Sequence, residues 1–595
     1  MQKQLKKVER VWNVLPEPPA SFYEEHPELP KIVAHLLYHR NIRTQEQIDE
    51  FLNPEYSKDV HDPFLFHDMK KAVKRLFEAM EKNEKVTIHG DYDADGVSGS
   101  VILTSMFRAF NYHNIDVFLP HRETDGYGLN IKTIELLHTQ GTNVIITCDC
   151  GISNGAEVAR AQELGIDVII TDHHTIPATL PPAYAIIHPK IDTETYPDKG
   201  LAGGGVAFKL LQGMLHTHAQ SHDVLPNGQK HDAFEKWQLD MVAIASVADM
   251  VPLIGESRTL TKYGLIVLNK TRRLGLHKLL IETRILETDG SMKNEIDADT
   301  IGFRIAPRIN AAGRMEHANV AYKLLVEERA TDAIDLAYRL DQNNVERQEM
   351  TEELVDEALK QMHDQKNSPI LFAFGHGWPT GIIGLIASRL KERYQKPTIV
   401  MTQNAEGEIV GSGRSVTGFN FVLGMQSVPK QFHKFGGHPM AGGFTLSKDT
   451  TVDAFKQALT EQCVIQTKDI DMTPTIQIDG QITLEEVTWE LYDILEKFKP
   501  FGMANPKPKY LAEGVKVLGI EPLGKEGKHM RLMVQHTTNK VRKTVGWNFC
   551  HGADTNFCEL LKTDDMIDMI FEVAVNEWNG NRELQLTVVD LKKSN

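Results

Sequence analysis

Short β-branched runs that end on acids recur along the chain. Lys85-Val86-Thr87-Ile88 reads as a strand with His89 at its end, and Asp91-Tyr92-Asp93-Ala94-Asp95-Gly96 follows at once. Val144-Ile145-Ile146-Thr147-Cys148 leads into Asp149 and Gly151, and Val168-Ile169-Ile170-Thr171 leads into Asp172-His173-His174. Unbroken Val/Ile runs of this length predict strands buried on both faces. Between the last two, Ser153 to Gly165 carries apolar residues at helical spacing. The unit reads strand–helix–strand, with acids at the carboxyl ends of parallel strands, the rim where open α/β sheets place ligands. A further acid, Asp249, interrupts the apolar run Val247-Ala248-Asp249-Met250-Val251-Pro252-Leu253, where an unpaired carboxylate is costly.

The same patterning lays out the rest of the chain. Residues 1–75 read as a helical preface, with Pro27-Glu28-Leu29-Pro30 opening one helix and Thr44 to Leu52 forming another. Residues 76–315 form the α/β domain that bears the acids. A polar–apolar helical pattern from 316 to 365 predicts one long strut. Residues 366–465 read as a second α/β domain, with strands at Ile370-Leu371-Phe372-Ala373-Phe374 and Thr398-Ile399-Val400-Met401 around a helix from Gly384 to Tyr394. After a polar linker, residues 466–595 alternate short strands with turns, including Met530 to Val534 and Glu583 to Val589, and predict a small β-barrel.

Three carboxylates packed after a buried strand repel one another unless a cation neutralises them. Oxygen donors with imidazole suit Mn²⁺, Mg²⁺ or Zn²⁺. A calcium loop also begins Asp-x-Asp-x-Asp-Gly, but its twelfth position needs a bidentate Glu and here holds Ile102. A phosphate loop needs Gly-Lys-Ser/Thr, and Val97-Ser98-Gly99-Ser100 lacks the lysine. A plain acidic turn explains one such segment, whereas a metal site explains all of them jointly.

Composition changes this picture little. Of 595 residues, 41% are hydrophobic and 25% charged, ordinary values for a globular protein. No apolar run has the length of a membrane helix, and the proline-broken start from Trp12 to Pro19 gives no signal peptide pattern. The five cysteines show no zinc-knuckle spacing; Cys148 and Cys150 flank Asp149 and read as packing residues, and so sparse a set points to a reducing cytoplasm. The formal net charge of −16 opposes long-range attraction to nucleic acid. Screening over about 8–10 Å still lets a local basic cleft dominate at contact.

His89-x3-Asp93-x-Asp95, Asp149, Asp172-His173-His174 and Asp249 resemble the four motifs of the DHH phosphoesterases, in particular their single-strand-specific exonuclease branch. The likeness extends over nearly the whole chain. It takes in Pro307-Arg308-Ile309-Asn310-Ala311-Ala312-Gly313-Arg314, Trp378-x2-Gly381-Ile382-Ile383-Gly384 and Gly411-Ser412-Gly413-Arg414-Ser415. Phe435-Gly436-Gly437-His438 with Ala441-Gly442-Gly443-Phe444 resembles the partner DHHA1 domain. Pro500-Phe501-Gly502-Met503-Ala504-Asn505-Pro506 and Trp578-Asn579-Gly580 with Gln585-Leu586 resemble an OB-type domain. Ala504 and Gly442 depart from the expected Gly and Ala, and the extra domain that longer members carry after the barrel is not expected here.

The resemblance implies two α/β domains (a parallel-sheet DHH domain and a DHHA1 domain) joined by a long helix, plus a C-terminal OB-like barrel. It implies two divalent ions, Mn²⁺ or Mg²⁺: one held by His89, Asp93 and Asp149, the other by Asp95, Asp149, His173 and Asp249, with Asp149 bridging. Two such ions activate water and clamp both oxygens of a phosphodiester displacement. Asp91 and Asp172 would orient their neighbours, and His174 would meet a substrate phosphate. Arg308, Asn310, Arg314, Ser412, Arg414 and His438, in Gly- or Asn-rich loops, would bind substrate. On the barrel, Lys528, His529, Arg531, Arg542 and Lys543 flank Trp547 and Phe549, a mixture suited to single strands. The implied activity is 5′→3′ hydrolysis of single-stranded DNA in repair and recombination. The implied setting is cytoplasmic, without a membrane, with a single-strand-binding protein and a helicase as partners. Two other readings stand beside it: a DHH enzyme for small phosphoesters such as cyclic dinucleotides, and a metal-free replication scaffold. The first usually has a shorter chain; the second would be expected to have lost ligands that are all present here.

Overall fold

A computed structural model describes residues 10–594 except 293, 366, 405, 551–555, 579 and 580. Asn579 and Gly580 of the barrel resemblance therefore lie outside the described residues. The chain divides into two compact units, Pro54–Lys468 and the pair of segments Met1–Asn53 with Asp469–Asn595. No described helix is long and apolar enough to cross a membrane.

In the first unit, the β-branched runs become a five-stranded sheet. Its strands are β1 (Lys85–Gly90), β2 (Ile115–Phe118), β3 (Thr142–Cys148), β4 (Asp167–Thr171) and β5 (Ala185–Ile187). All pairings are parallel and the order is β2-β1-β3-β4-β5. Val86, Ile88, Val144, Ile146 and Ile169 are fully buried because helices cover both faces, as the unbroken apolar runs require. The chain leaves β1 towards β2 on one side and reaches β3 on the other. The carboxyl ends of β1 and β3 thus flank a topological switch point, where the backbone opens a crevice.

Helices α1 (Ala94–Ala109), α2 (Gly203–Ala219), α3 (Leu239–Ala248) and α4 (Ala306–Met315) pack together beside this sheet. The predicted strut is two helices, Asn319–Val326 and α5 (Ala330–Met362). Glu327 breaks the run: its backbone is extended, and its carboxylate accepts the N–H groups of Glu328 and Arg329 at 3.1 and 2.9 Å, capping the turn into α5.

A mixed sheet follows, of β6 (Leu371–His376), β7 (Thr398–Gln403), β8 (Ile409–Arg414), β9 (Phe432–His438) and β10 (Ala441–Leu446). Its order is β9-β10-β8-β7-β6, and only β6 and β7 are parallel. Helix α6 (Thr380–Tyr394) packs on it, burying Ile382, Ile383 and Ile386.

In the second unit, Tyr510–Leu523, His529–Gln535, Val541–Gly546, Met566–Trp578 and Asn581–Lys593 form a closed barrel. Closure comes from Tyr510–Leu523 pairing with both His529–Gln535 and Met566–Trp578. Cys550 and Cys558 form a disulfide, whereas Cys148, Cys150 and Cys463 are free and buried; the sparse-thiol reading did not anticipate that pairing. The preface is shared between the units. Helix Met69–Glu81 packs into the core of the first, while Lys31–His39 and Gln45–Leu52 pack on the barrel, Leu36, Leu37 and Phe51 meeting Leu484, Phe498 and Tyr510. Thr44 caps the second of these barrel helices with a reciprocal bond to Gln47. Val11–Val14 pairs in parallel with Thr475–Ile478.

Arg40 locks this arrangement. Its side chain, 3% exposed, donates to Asn505 Oδ1 at 2.8 Å, Leu36 O at 2.9 Å and Pro506 O at 2.7 Å, and lies 3.5 Å from Asp479. Asn505 in turn donates to the carbonyls of Phe498 and Pro500. Replacing Arg40 by Ala strands buried acceptors and the Asp479 carboxylate, a loss of about 3 kcal/mol or more. Chemical denaturation followed by barrel fluorescence should show an earlier transition; an unchanged midpoint would contradict the locking role.

Candidate metal centre

The site assembles where β1, β3 and β4 end. His89 is fully buried at the end of β1, stacked 5.2 Å from Phe118, with Nδ1 3.7 Å from Cys150 Sγ. Burial pushes its imidazole down to about 4, so the ring is neutral. Asp93 caps α1, accepting the N–H groups of Asp95 and Gly96 at 3.0 and 3.1 Å. Asp95, in the first turn of α1, accepts from Gly203 and Gly204 N–H at 2.7 and 2.6 Å. These glycines open α2, and the close approach requires them: a Cβ on Gly203 would lie 2.5 Å from that of Asp149, and one on Gly204 2.7 Å from Ala245 Cβ.

Asp149 follows β3 with φ of 62°, a left-handed conformation that costs an aspartate of the order of 1 kcal/mol. Its N–H donates to Thr171 O at 3.0 Å, and its carbonyl accepts from Tyr127 Oη at 2.9 Å. That backbone turns the carboxylate to within 3.2 Å of His173 Nε2. The same His173 nitrogen lies 3.5 Å from Asp249 and 3.8 Å from Asp95. Asp249 terminates α3.

Three donor groups result, each with its atoms within 4.8 Å: Asp95, His173 and Asp249; Asp91, Asp93 and Asp149; and Asp149, His173 and His174. Asp149 belongs to two of them. His89 joins none, and Asp91 stands with Asp93 and Asp149 where the sequence pattern had placed His89.

Electrostatics separate two kinds of residue here. Burial, then neighbouring carboxylates, push Asp91, Asp95 and Asp149 well above the usual carboxylate range, and Asp249 up to about 7. His89 Nε2, Asp91 Oδ1, Asp149 Oδ1 and His173 Nε2 are buried without a hydrogen-bond partner. Orphaned atoms of Asp91, Asp149 and His173 among mutually repelling acids fit divalent cations. Burial alone would also raise Asp172, but the His174 hydrogen bond and charge hold it down at about 2. Its oxygens accept from Ile152, His173 and His174 N–H and from His174 Nδ1 at 2.8 Å. Asp172 is saturated, and it orients both histidines. Against its burial, His174 is raised by Asp172.

The predicted substrate residues divide. Arg314 is buried, donates to Gly381 O at 2.6 Å, and is pushed down to about 9 by burial and then by Arg122, Arg347 and Arg414. Arg414, at the end of β8, donates to Ser412 Oγ at 2.9 Å. Arg122 stacks 3.9 Å over the Tyr92 ring, and its charge acts on Asp91, Arg314 and Arg414 alike. Arg122, Arg314, Ser412 and Arg414 therefore form one cationic patch beside the acids. Arg308 is instead ion-paired with Asp341 at 2.7 Å. Asn310 accepts the Ala94 N–H at 2.7 Å, capping α1. Both lie on α4 rather than in a loop. His438 is exposed at the end of β9. The sequence pattern passed over Arg122 and Tyr127, which sit in a loop without a recognisable motif. It also passed over Gly203-Gly204-Gly205, where a glycine run opening a helix signals a close anion contact.

Residues 85–245 match the DHH family N-terminal domain, residues 367–464 the DHHA1 domain, and residues 478–590 the RecJ OB domain. The fold and site thus define a DHH-class protein with a DHHA1 partner domain and an OB barrel. The chain is 35% identical over 561 residues to the single-stranded-DNA-specific exonuclease RecJ of Bacillus subtilis, covering 94% of this chain and 67% of that protein. It is 31% identical to the RecJ of Escherichia coli, over 94% of this chain and 96% of that one. The crystal structure of RecJ from Thermus thermophilus in complex with Mn²⁺ superposes with a TM-score of 0.81 at 26% identity, covering all of this chain and 80% of that one. The chain belongs to the RecJ family.

Without metal, the acids retain protons that unfolding would release, so their ionisation destabilises the fold as pH rises through about 7. His89 and His173, lowered to about 4 and about 3, act oppositely but only below about 6.5. Between pH 6.5 and 8 the acids prevail. Mn²⁺ should therefore raise the melting temperature more at pH 8 than at pH 6.5, as scanning calorimetry with and without EDTA would measure; an equal rise at both would contradict the repulsion.

Proposed function

We propose that this protein is a metal-dependent, single-stranded-DNA-specific exonuclease that hydrolyses phosphodiesters from the 5′ end. The observation carrying this reading is the pair of donor groups Asp95–His173–Asp249 and Asp91–Asp93–Asp149, joined by the 3.2 Å approach of Asp149 to His173, with unpartnered buried ligand atoms, beside a patch of arginines. Asp95, His173, Asp249 and Asp149 would hold one divalent ion, Mn²⁺ or Mg²⁺. Asp149, Asp93 and either Asp91 or His89 would hold the other. Bound there, two such ions activate water and neutralise charge on the attacking and leaving oxygens.

The protein's own groups do the rest. Burial keeps His173 neutral and able to ligate, while Asp172 raises His174 and favours its protonated ring, which can meet a non-bridging phosphate oxygen. Arg122, Arg314 and Arg414, with the Ser412 hydroxyl, offer guanidinium forks to a terminal phosphate, and a 5′-phosphate held there supplies polarity. Fixing the end of the strand beside the acids converts a chance encounter into an oriented one. The barrel would track the rest of the strand, with Trp547, 57% exposed, as a stacking surface. Lys528, Arg531 and Lys543 are paired with Glu526, Glu521 and Glu583, and Arg542 is bonded to the carbonyls of Leu484 and Val487. Arg542 is therefore structural, and the tracking surface is only weakly basic, consistent with the acidic whole. The resemblance adds a cytoplasmic setting and partnership with a single-strand-binding protein and a helicase.

With Mn²⁺, a 3′-labelled single strand should shorten progressively while a blunt duplex and a cyclic dinucleotide persist. Asp149→Ala should abolish hydrolysis and keep strand binding; near-normal turnover would sink its shared role, and cleavage of the dinucleotide alone would make this a small-phosphoester enzyme. Arg414→Ala should raise KM for 5′-phosphorylated strands about tenfold, with little change for 5′-hydroxyl strands. Trp547→Ala should weaken binding of long oligothymidylate about tenfold in an anisotropy titration, yet barely alter hydrolysis of very short oligomers. Equal losses on both lengths would contradict a tracking barrel.

A further inference from the structure

We infer that Lys190 holds the strand phosphate that follows the scissile one, on the far side of the acids from the arginine patch. This subsite rests on the exonuclease reading above and extends it to the nucleotide beyond the cut. The two edges of the catalytic sheet each send one cation back over its carboxyl rim. At one edge, β2 ends at Phe118, and Arg122 follows, stacked over Tyr92 beyond the end of β1. At the other, β5 ends at Ile187, and Lys190 follows, its ammonium donating to the carbonyl of His173 beyond the end of β4.

The acids and histidines lie between these two cations. The charge of Arg122 acts on Asp91, that of Lys190 on Asp249 and Asp172, and that of His174 on both Asp91 and Asp249. Strands β1 and β4 are two spacings apart, about 10 Å, and β2 and β5 four spacings, about 19 Å. A stacked DNA strand advances about 3.4 Å per phosphate. The rim is therefore long enough for a terminal phosphate at the arginines, a scissile one at the acids and a third at Lys190.

Two neighbours on this segment differ in what they have left to offer. His188 is fully buried; its Nε2 donates to His174 O at 3.0 Å, and its Nδ1 accepts the Lys190 N–H at 3.1 Å. Both of its ring nitrogens are used. Lys190 is exposed, and its ammonium has three N–H donors against one bonded carbonyl. Among the described residues no carboxylate pairs with it, unlike Lys528, Arg531 and Lys543 on the barrel. A phosphate supplies the missing acceptors. A point charge on a flexible stem also suits a group that must let go at each turnover. Water bonding to phosphorus, with departure of the 3′-oxygen carrying the proton, leaves a 5′-phosphate on the shortened strand. That phosphate moves to the arginines, and the one at Lys190 is the next to reach the acids.

A lysine that merely propped the His173 carbonyl would serve every substrate alike, whereas a downstream subsite depends on strand length. 5′-Phosphorylated dithymidylate has a terminal and a scissile phosphate and none beyond; the trimer has one more. In initial rates with Mn²⁺, Lys190→Gln should lower kcat/KM for the trimer about fivefold more than for the dimer, through KM. It should also flatten the log–log salt dependence of the trimer's kcat/KM by about 0.7, a slope that Lys190→Arg should retain. A neutral methylphosphonate at the second linkage of the trimer should impose the same loss on the wild-type chain and no further loss on Lys190→Gln. That comparison holds on the wild-type chain alone should Lys190→Gln fail to fold, and an unchanged rate there would overturn the proposal. Equal losses on dimer and trimer would overturn it too, and leave Lys190 as a prop for His173. Cleavage of neither oligomer by the wild-type chain would remove the exonuclease reading, and this subsite with it.

Discussion

Mutual repulsion among Asp91, Asp93, Asp95, Asp149 and Asp249 is the constraint around which the catalytic unit is organised. Bringing these carboxyl groups together at the rim of one sheet works against folding, and the surrounding elements hold them there regardless. The parallel sheet supplies the switch point, α1 takes Asp93 as its cap, and α2 presents two backbone N–H groups to Asp95. Asp149 is held in a left-handed turn by bonds at both its N–H and its carbonyl. The result is a site built in advance for cations.

Two carboxylates of similar burial meet opposite fates within this centre. Asp172 receives four hydrogen bonds and stays ionised, so it is spent on orienting His173 and His174. Asp149 keeps one oxygen without a partner, and its charge must be met from outside the protein. The distinction separates an acid free to take a ligand's role from one already committed to its neighbours. A similar division runs through the arginines. Arg308 is neutralised by Asp341, while burial and then the charge of Arg122 lower the affinity of Arg314 and Arg414 for protons. Crowded, poorly compensated guanidinium groups are what an incoming phosphate relieves.

The second unit solves a different problem. Its barrel closes on itself, but the apolar surface beside it is covered by helices from the opposite end of the chain, with Arg40 satisfying carbonyls of the Pro500–Pro506 segment. Trp12 donates to Asp590, so the two ends of the chain are tied to one barrel.

Hydrophobic runs alone determined the three central strands of the catalytic sheet, because residues buried on both faces leave no polar alternation to misread, whereas the edge strands β2 and β5 went unread. They also marked Asp149 and Asp172-His173 at strand ends and Asp93, Asp95 and Asp249 as acids in apolar settings, which the structure brings within reach of one another. The continuous helix read from 316 to 365 was misjudged at Glu327, where a capping carboxylate rather than a Gly or Pro stops the run. Only tertiary structure decided the rest. It set Asp91 beside Asp93 and Asp149 with His89 apart from them, sent Arg308 to Asp341 and Asn310 to the cap of α1, and brought Arg122 to the patch of Arg314 and Arg414. It also gave residues 10–53 to the barrel. The physical reason is range: strand formation and burial are written in neighbouring residues, whereas pairing of charges depends on which atoms meet across hundreds of positions, and no local pattern records that.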